Sequence, residues 1–103
     1  MSQFAVYKSP LRDSQIAFVV QIQTNRFDRT KGRVVMSLMH RAGDRTPDHA
    51  ITPHFMVLGV AVFANPLDIS TIPTARLGTP LAILPDADQS RIITAIDELI
   101  SRA

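Results

Sequence analysis

The chain has 103 residues, 46% hydrophobic and 19% charged, with a formal net charge of +2. That length makes one domain, residues 1–103, with a modest core, and the composition excludes a disordered chain. Cysteine is absent, which excludes a disulfide framework, a thiolate zinc site and a thiol nucleophile, and fits a reducing cytoplasm.

In chain order, Met1–Lys8 lacks a basic segment followed by a long apolar run, so it does not read as a signal peptide. No apolar run reaches the roughly 18 residues of a membrane span. Gln3–Lys8 predicts a first strand, with Phe4 and Val6 alternating against Ala5 and Tyr7, ended at Ser9-Pro10. Ile16–Thr24 predicts a second, with Ile16, Phe18, Val20 and Ile22 on one face and Gln15, Gln21 and Gln23 among the residues on the other. Arg26–Arg33 is a basic loop in which Arg26, Arg29, Lys31 and Arg33 are opposed only by Asp28. Val34–His40 predicts a third strand, and Gly43–Asp48 a loop of turn formers.

Pro53–Val57 and Val60–Ala64 predict a hairpin about Leu58-Gly59, closed by Asn65-Pro66. Short strands near Ile72–Arg76 and Leu81–Leu84 complete about five to seven. From Asp86 the pattern changes: Ile92, Ile93, Ile96, Leu99 and Ile100 form one helical stripe. Asp86 and Gln89 suit a variant capping box, and Asp86 and Asp88 suit the positive helix end. The order predicts a mainly β protein, a small antiparallel barrel with one C-terminal helix.

Chemistry-bearing motifs are sparse. His40, His49 and His54 match neither a zinc spacing nor a helical pair. There is no Gly-x-Ser-x-Gly elbow, and the glycines are scattered at 32, 43, 59 and 78. Asp44, Asp48 and His49 lie near one another but also read as an ordinary turn-rich loop. No catalytic residue, metal or cofactor is assigned. The net charge is too slight to argue sequence-specific nucleic-acid binding. The loop carrying Arg26, Phe27, Arg29 and Lys31 reads either as solvated surface or as a landing place for an acidic peptide. The Ile92, Ile93, Ile96 and Leu99 stripe reads either as cover for the barrel or as a dimer face.

Several short segments carry a resemblance. They are Gln3-Phe4-x-Val6-Tyr7, Phe18-Val19 followed by Gln23, Asp28 with Gly32-Arg33, Leu38, Pro53, Asp68-Ile69-x-x-Ile72-Pro73 with Gly78, and Ile92…Ala95-Ile96. In order and spacing the whole chain resembles the CcdB family of bacterial toxins. The resemblance implies the toxin of a type II toxin–antitoxin system that poisons DNA gyrase and is neutralised by an acidic, partly disordered antitoxin. It also implies a barrel related to the Kid and MazF toxins, and a symmetric homodimer with Ile92, Ile96 and Leu99 near its axis.

By position in the family, contact with the DNA-cleaving subunit of DNA gyrase falls to Ile100, Ser101, Arg102 and Ala103. Gyrase poisons of the family end in Trp-Gly-Ile, whereas this chain ends Ser101-Arg102-Ala103 and contains no tryptophan. The gyrase contact is therefore either remade with other residues or absent. The alternatives are an endoribonuclease of the Kid/MazF type, with Arg33, His40 and Arg76 as first candidates for proton transfer and charge stabilisation, or a non-toxic homologue that binds an antitoxin.

Overall fold

A computed structural model describes residues 2–101. Its strands are β1 (Ala5–Lys8), β2 (Ile16–Gln21), β3 (Gly32–His40), β4 (His54–Val57), β5 (Val60–Pro73) and β6 (Ala82–Ile83), with helices α1 (Thr74–Leu77) and α2 (Asp86–Leu99). The six strands form one sheet in the order β4-β5-β3-β2-β1-β6, and every pairing is antiparallel. The expected mainly β fold with a C-terminal helix is the one observed. No helix among the described residues is long and apolar enough to cross a membrane.

Side-chain alternation sorts the core into two clusters. Val6, Val20, Met36, Leu38, Val62 and Ala64 share one with Phe55 and Val57 of β4, Leu84 beyond β6, and Ile92 of α2. Residues from both edges of a six-stranded sheet meet in one core only when the sheet curls, here into a half-barrel with α2 against the curl. Ala5, Tyr7, Val19, Val35, Met39, Phe63, Ile72 and Leu77 form the cluster on the opposite face. With both faces covered, strands carry neighbouring apolar residues such as Val19-Val20 and Val35-Met36 in place of strict alternation.

Two β-bulges overturn sequence expectations. In β2, Ile16 pairs with Met39 while Phe18 pairs with Leu38, so the register shift turns Ile16 to the face opposite Phe18 and Val20. Gln21 lies on the face opposite Phe18 and Val20, as expected, and is fully buried there. In β5, the strand does not close at Asn65-Pro66 but runs 14 residues to Pro73. Ser37 pairs with Asn65 and Met36 with Ile69, so Pro66, Leu67 and Asp68 bulge out of the ladder.

Proline, with no N–H to donate, is tolerated at such a bulge. The Leu67 N–H donates to Asn65 Oδ1 at 3.1 Å, and Ser37 Oγ donates to Asp68 Oδ2 at 2.6 Å, which pins the bulge to β3. The segment expected as a strand over Ile72–Arg76 instead ends β5 and turns into α1.

The β4–β5 hairpin forms about Leu58-Gly59 as expected, with Val57 opposite Val60. Leu58 (φ 50°) and Gly59 (φ 80°) are both left-handed, as a two-residue turn of this hand demands. The predicted helix is α2, but the capping box does not form. The helix starts one residue too early for it: Pro85 occupies the cap position and Asp86 is already helical. Gln89 Nε2 donates instead to the Leu84 carbonyl at 2.8 Å.

Candidate partner-binding site

The basic loop begins with a single 3-10 turn, Asn25–Phe27. Arg26, Phe27, Arg29 and Lys31 are all exposed, whereas Arg33 is only 4% exposed. Arg33 Nη1 donates to the carbonyls of Thr30 (2.6 Å) and Gly32 (3.0 Å), and Nη2 donates to that of Asp28 (2.6 Å). Gln23 Nε2 donates to Phe27 O at 2.9 Å, while its Oε1 accepts from the Val34 N–H at 3.0 Å. The loop thus hangs from one inward guanidinium and one amide. Its remaining cations, with the apolar Phe27 between them, face solvent. Arg33, grouped by sequence with those cations, belongs to the scaffold.

The ribonuclease candidates do not converge. Arg33 and His40 stand near opposite ends of β3, about 23 Å apart at roughly 3.3 Å per residue. Arg76 lies in α1, where its Nη2 donates to Pro10 O at 3.3 Å. The other histidines serve the 41–53 loop: His49 Nδ1 accepts from the Ile51 N–H at 3.2 Å, and His54 Nε2 lies 2.7 Å from Thr46 O. Among the described residues no group of three His, Cys, Asp or Glu could hold a metal ion.

Asp44 and Asp48 are turn formers here. Bonding to the Thr46 side chain and N–H lowers the pKa of Asp44. That of Asp48 is lowered chiefly by the His54 N–H, then by the charges of Arg91 and His54.

Arg91, which sequence reasoning passed over, joins α2 to that loop. Its Nη2 meets Asp48 Oδ1 at 2.9 Å, its Nη1 donates to the His54 carbonyl, and its guanidinium carbon lies 5.9 Å from the Phe55 ring centroid. The contact with His54 also blunts the free edge of β4. A cleft of about 350 Å³ opens beside it, lined by Asp48, His49, Pro53, Ser90 and Thr94. The ion pair is largely solvated, so its charge attraction is weak. The carbonyl bond and the ring contact matter more. Arg91→Met is expected to lower stability by about 1–2 kcal/mol and Asp48→Asn by less, as read by urea denaturation.

On α2, Ile92 is 0% exposed and lies inside the intramolecular core, with Ile96 packed against it. Leu99 is half-buried. The outward apolar residues are Ile93, 48% exposed, and Ile100, 70% exposed. Ser101 is exposed just past the helix; Arg102 and Ala103 lie outside the described residues.

Residues 3–101 match the family described as CcdB protein. The chain belongs to the CcdB family. Its fold is similar to that of an endoribonuclease in complex with its cognate antitoxin from a mycobacterial species, at 18% identity and TM-score 0.77, covering 95% of this chain and 92% of that one. It is also similar to an endoribonuclease from a mycobacterial species, at 17% identity and TM-score 0.75, covering 95% of this chain and 88% of the other. At such identities the likeness is one of fold. No curated protein matches the chain significantly.

This CcdB-family chain carries one further exposed apolar feature that periodicity did not reveal. The β5 bulge presents Leu67, 81% exposed, followed by partly exposed Ile69. Beyond Phe63 the β4 ladder has ended, so this stretch of β5 is paired on one side only, by β3. A signal existed in the sequence: Pro66 directly before Leu67, inside an otherwise strand-like run.

Proposed function

We propose that this chain is the toxin of a toxin–antitoxin pair, acting by binding and held in check by an acidic antitoxin segment lying across Arg26, Phe27, Arg29 and Lys31. The observation that carries this reading is the prearranged loop. Three cations and an aromatic ring are turned outward on a backbone already fixed by Arg33 and Gln23. Family membership supports the toxin assignment. The mycobacterial relative solved with its cognate antitoxin lends support to a protein partner on this fold.

A preformed cationic surface speeds encounter with an anionic chain and makes it salt-sensitive. Reversing Arg26, Arg29 and Lys31 to Glu is expected to weaken antitoxin binding at low salt by about tenfold or more and to flatten its salt dependence. Titration calorimetry with the cognate antitoxin, sought as a short acidic protein encoded beside this one, would measure both. Unchanged affinity would leave the loop as plain solvated surface.

For assembly we place a homodimer contact on the outward residues Ile93 and Ile100 together with the half-buried Leu99, since Ile92 is occupied within the protomer. DNA gyrase remains the proposed target. Supercoiling by the gyrase of the protein's own host, run beside RNA cleavage with the same preparation, separates the readings. Gyrase inhibition without cleaved RNA supports the binding toxin. The fold likeness to two endoribonucleases favours a second reading, RNA cleavage, which would need residues other than an Arg33–His40 pair. Antitoxin binding with neither activity marks a non-toxic homologue.

A further inference from the structure

We propose that the sheet face opposite α2 encloses a hydrated polar socket, built from Tyr7, Gln21, Arg33 and Asp28, that holds the basic loop in its fixed shape. Register brings the parts together. Tyr7 pairs with Val19 and Gln21 with Val35, so Tyr7 and Gln21 are diagonal neighbours across β1 and β2. Gln21 and Arg33 stand in the same relation across β2 and β3. Such diagonals span about 7–8 Å, within reach of long side chains. Tyr7 and Gln21 are fully buried and Arg33 almost so. The Asp28 carboxylate approaches from the loop, with Oδ1 4.0 Å from Arg33 Nε. That is too long for a direct hydrogen bond and suits one bridged by water.

Four atoms here are shielded from solvent and lack a hydrogen-bond partner in the protein: Tyr7 Oη, Gln21 Oε1, Arg33 Nε and Asp28 Oδ1, the last two only loosely ion-paired at 4.0 Å. Native interiors leave few such groups unsatisfied. Two of these can donate and the others accept, the complement that enclosed water satisfies. Arg33 disfavours a cation at this place, the Asp28 and Gln21 oxygens disfavour an anion, and the polar atoms disfavour an apolar ligand. Water is the ligand class that remains. Burial raises the Tyr7 pKa, with Arg33 opposing and Asp28 adding to the rise, so at neutral pH the phenol keeps the proton that it donates.

The consequence reaches the surface. The guanidinium whose Nε faces the socket uses its other nitrogens to hold the carbonyls of Asp28, Thr30 and Gly32. Loosening the socket should therefore loosen the loop without touching any of its exposed side chains. The socket would hold the loop in this way whether or not the chain is a toxin.

The test uses the full-length protein. A high-resolution crystal structure is expected to show ordered solvent within hydrogen-bond distance of at least two of the four atoms. Tyr7→Phe, which keeps the ring, is expected to melt cooperatively yet to be cut by trypsin after Arg29 and Lys31 about tenfold faster. Arg33→Lys is expected to show a larger increase. Should Arg33→Lys fail to fold, Tyr7→Phe and the solvent density decide. The proposal is overturned if those four atoms contact one another with no solvent between them. It is overturned equally if Tyr7→Phe leaves the cleavage rate unchanged.

Discussion

Replacing Ile92 by Asp is expected to leave no stably folded protein at physiological temperature. Ile92 is fully buried in the cluster that joins Phe55 and Val57 of one sheet edge to Leu84 beyond the other. It holds α2 against the curl of the sheet. Truncation to Ala alone should cost about 2–5 kcal/mol, a large share of the roughly 5–15 kcal/mol that stabilises a typical domain. A carboxylate in that place would lose its hydration with no partner in return.

The control is its neighbour on the helix. Ile93 is half exposed, so Ile93→Asp should stay folded and lose only the concentration-dependent part of its stability that the proposed dimer contact contributes. Thermal melts by circular dichroism, with sedimentation alongside, distinguish the two roles. An Ile92→Asp variant that unfolds cooperatively near the normal temperature would show that α2 is not what closes the sheet.

A functional effect of similar size is expected at the C-terminus. The last turn of α2 is completed by the Ile100 N–H donating to Ile96 O at 3.2 Å and the Ser101 N–H to Glu98 O at 3.4 Å. Position 101 is thereby held exposed at the helix end. A tryptophan there would present a large rigid anchor of the kind that dominates interfaces, whereas Ser offers little area. The unmodified protein is accordingly expected to inhibit gyrase from an enteric bacterium weakly or not at all.

The triple variant Ser101→Trp, Arg102→Gly, Ala103→Ile is expected to gain about 100-fold in potency, the equivalent of one hot-spot side chain. Titrating supercoiling inhibition and trapped cleaved DNA would measure it. Nanomolar trapping by the unmodified protein would sink the idea, as would an unimproved triple variant that still folds.

Local features were legible in the residues themselves. The helical stripe from Ile92 to Ile100, the hairpin about Leu58-Gly59 and the mainly β class all depend on periodicity and turn chemistry within a few residues, and all are present. The exposed Arg26, Phe27, Arg29 and Lys31 were likewise visible as a charged stretch between strands. What periodicity could not reveal is where the ladder breaks. Ile16 changes face, and β5 passes through Pro66, because each residue's partner on β3 lies far away in sequence.

The same division runs through the candidate site. Sequence determined that the loop is basic; the tertiary structure decided that Arg33 turns inward while its neighbours turn out. Sequence drew a stripe of isoleucines; the curl of the sheet decided that Ile92 is core and Ile93 surface. Arg91 looked like one more helix charge until folding brought Asp48, His54 and Phe55 to it. The physical reason is common to all three. Charge, propensity and period belong to a segment, whereas burial and partnership belong to whichever distant segment the folded chain lays against it.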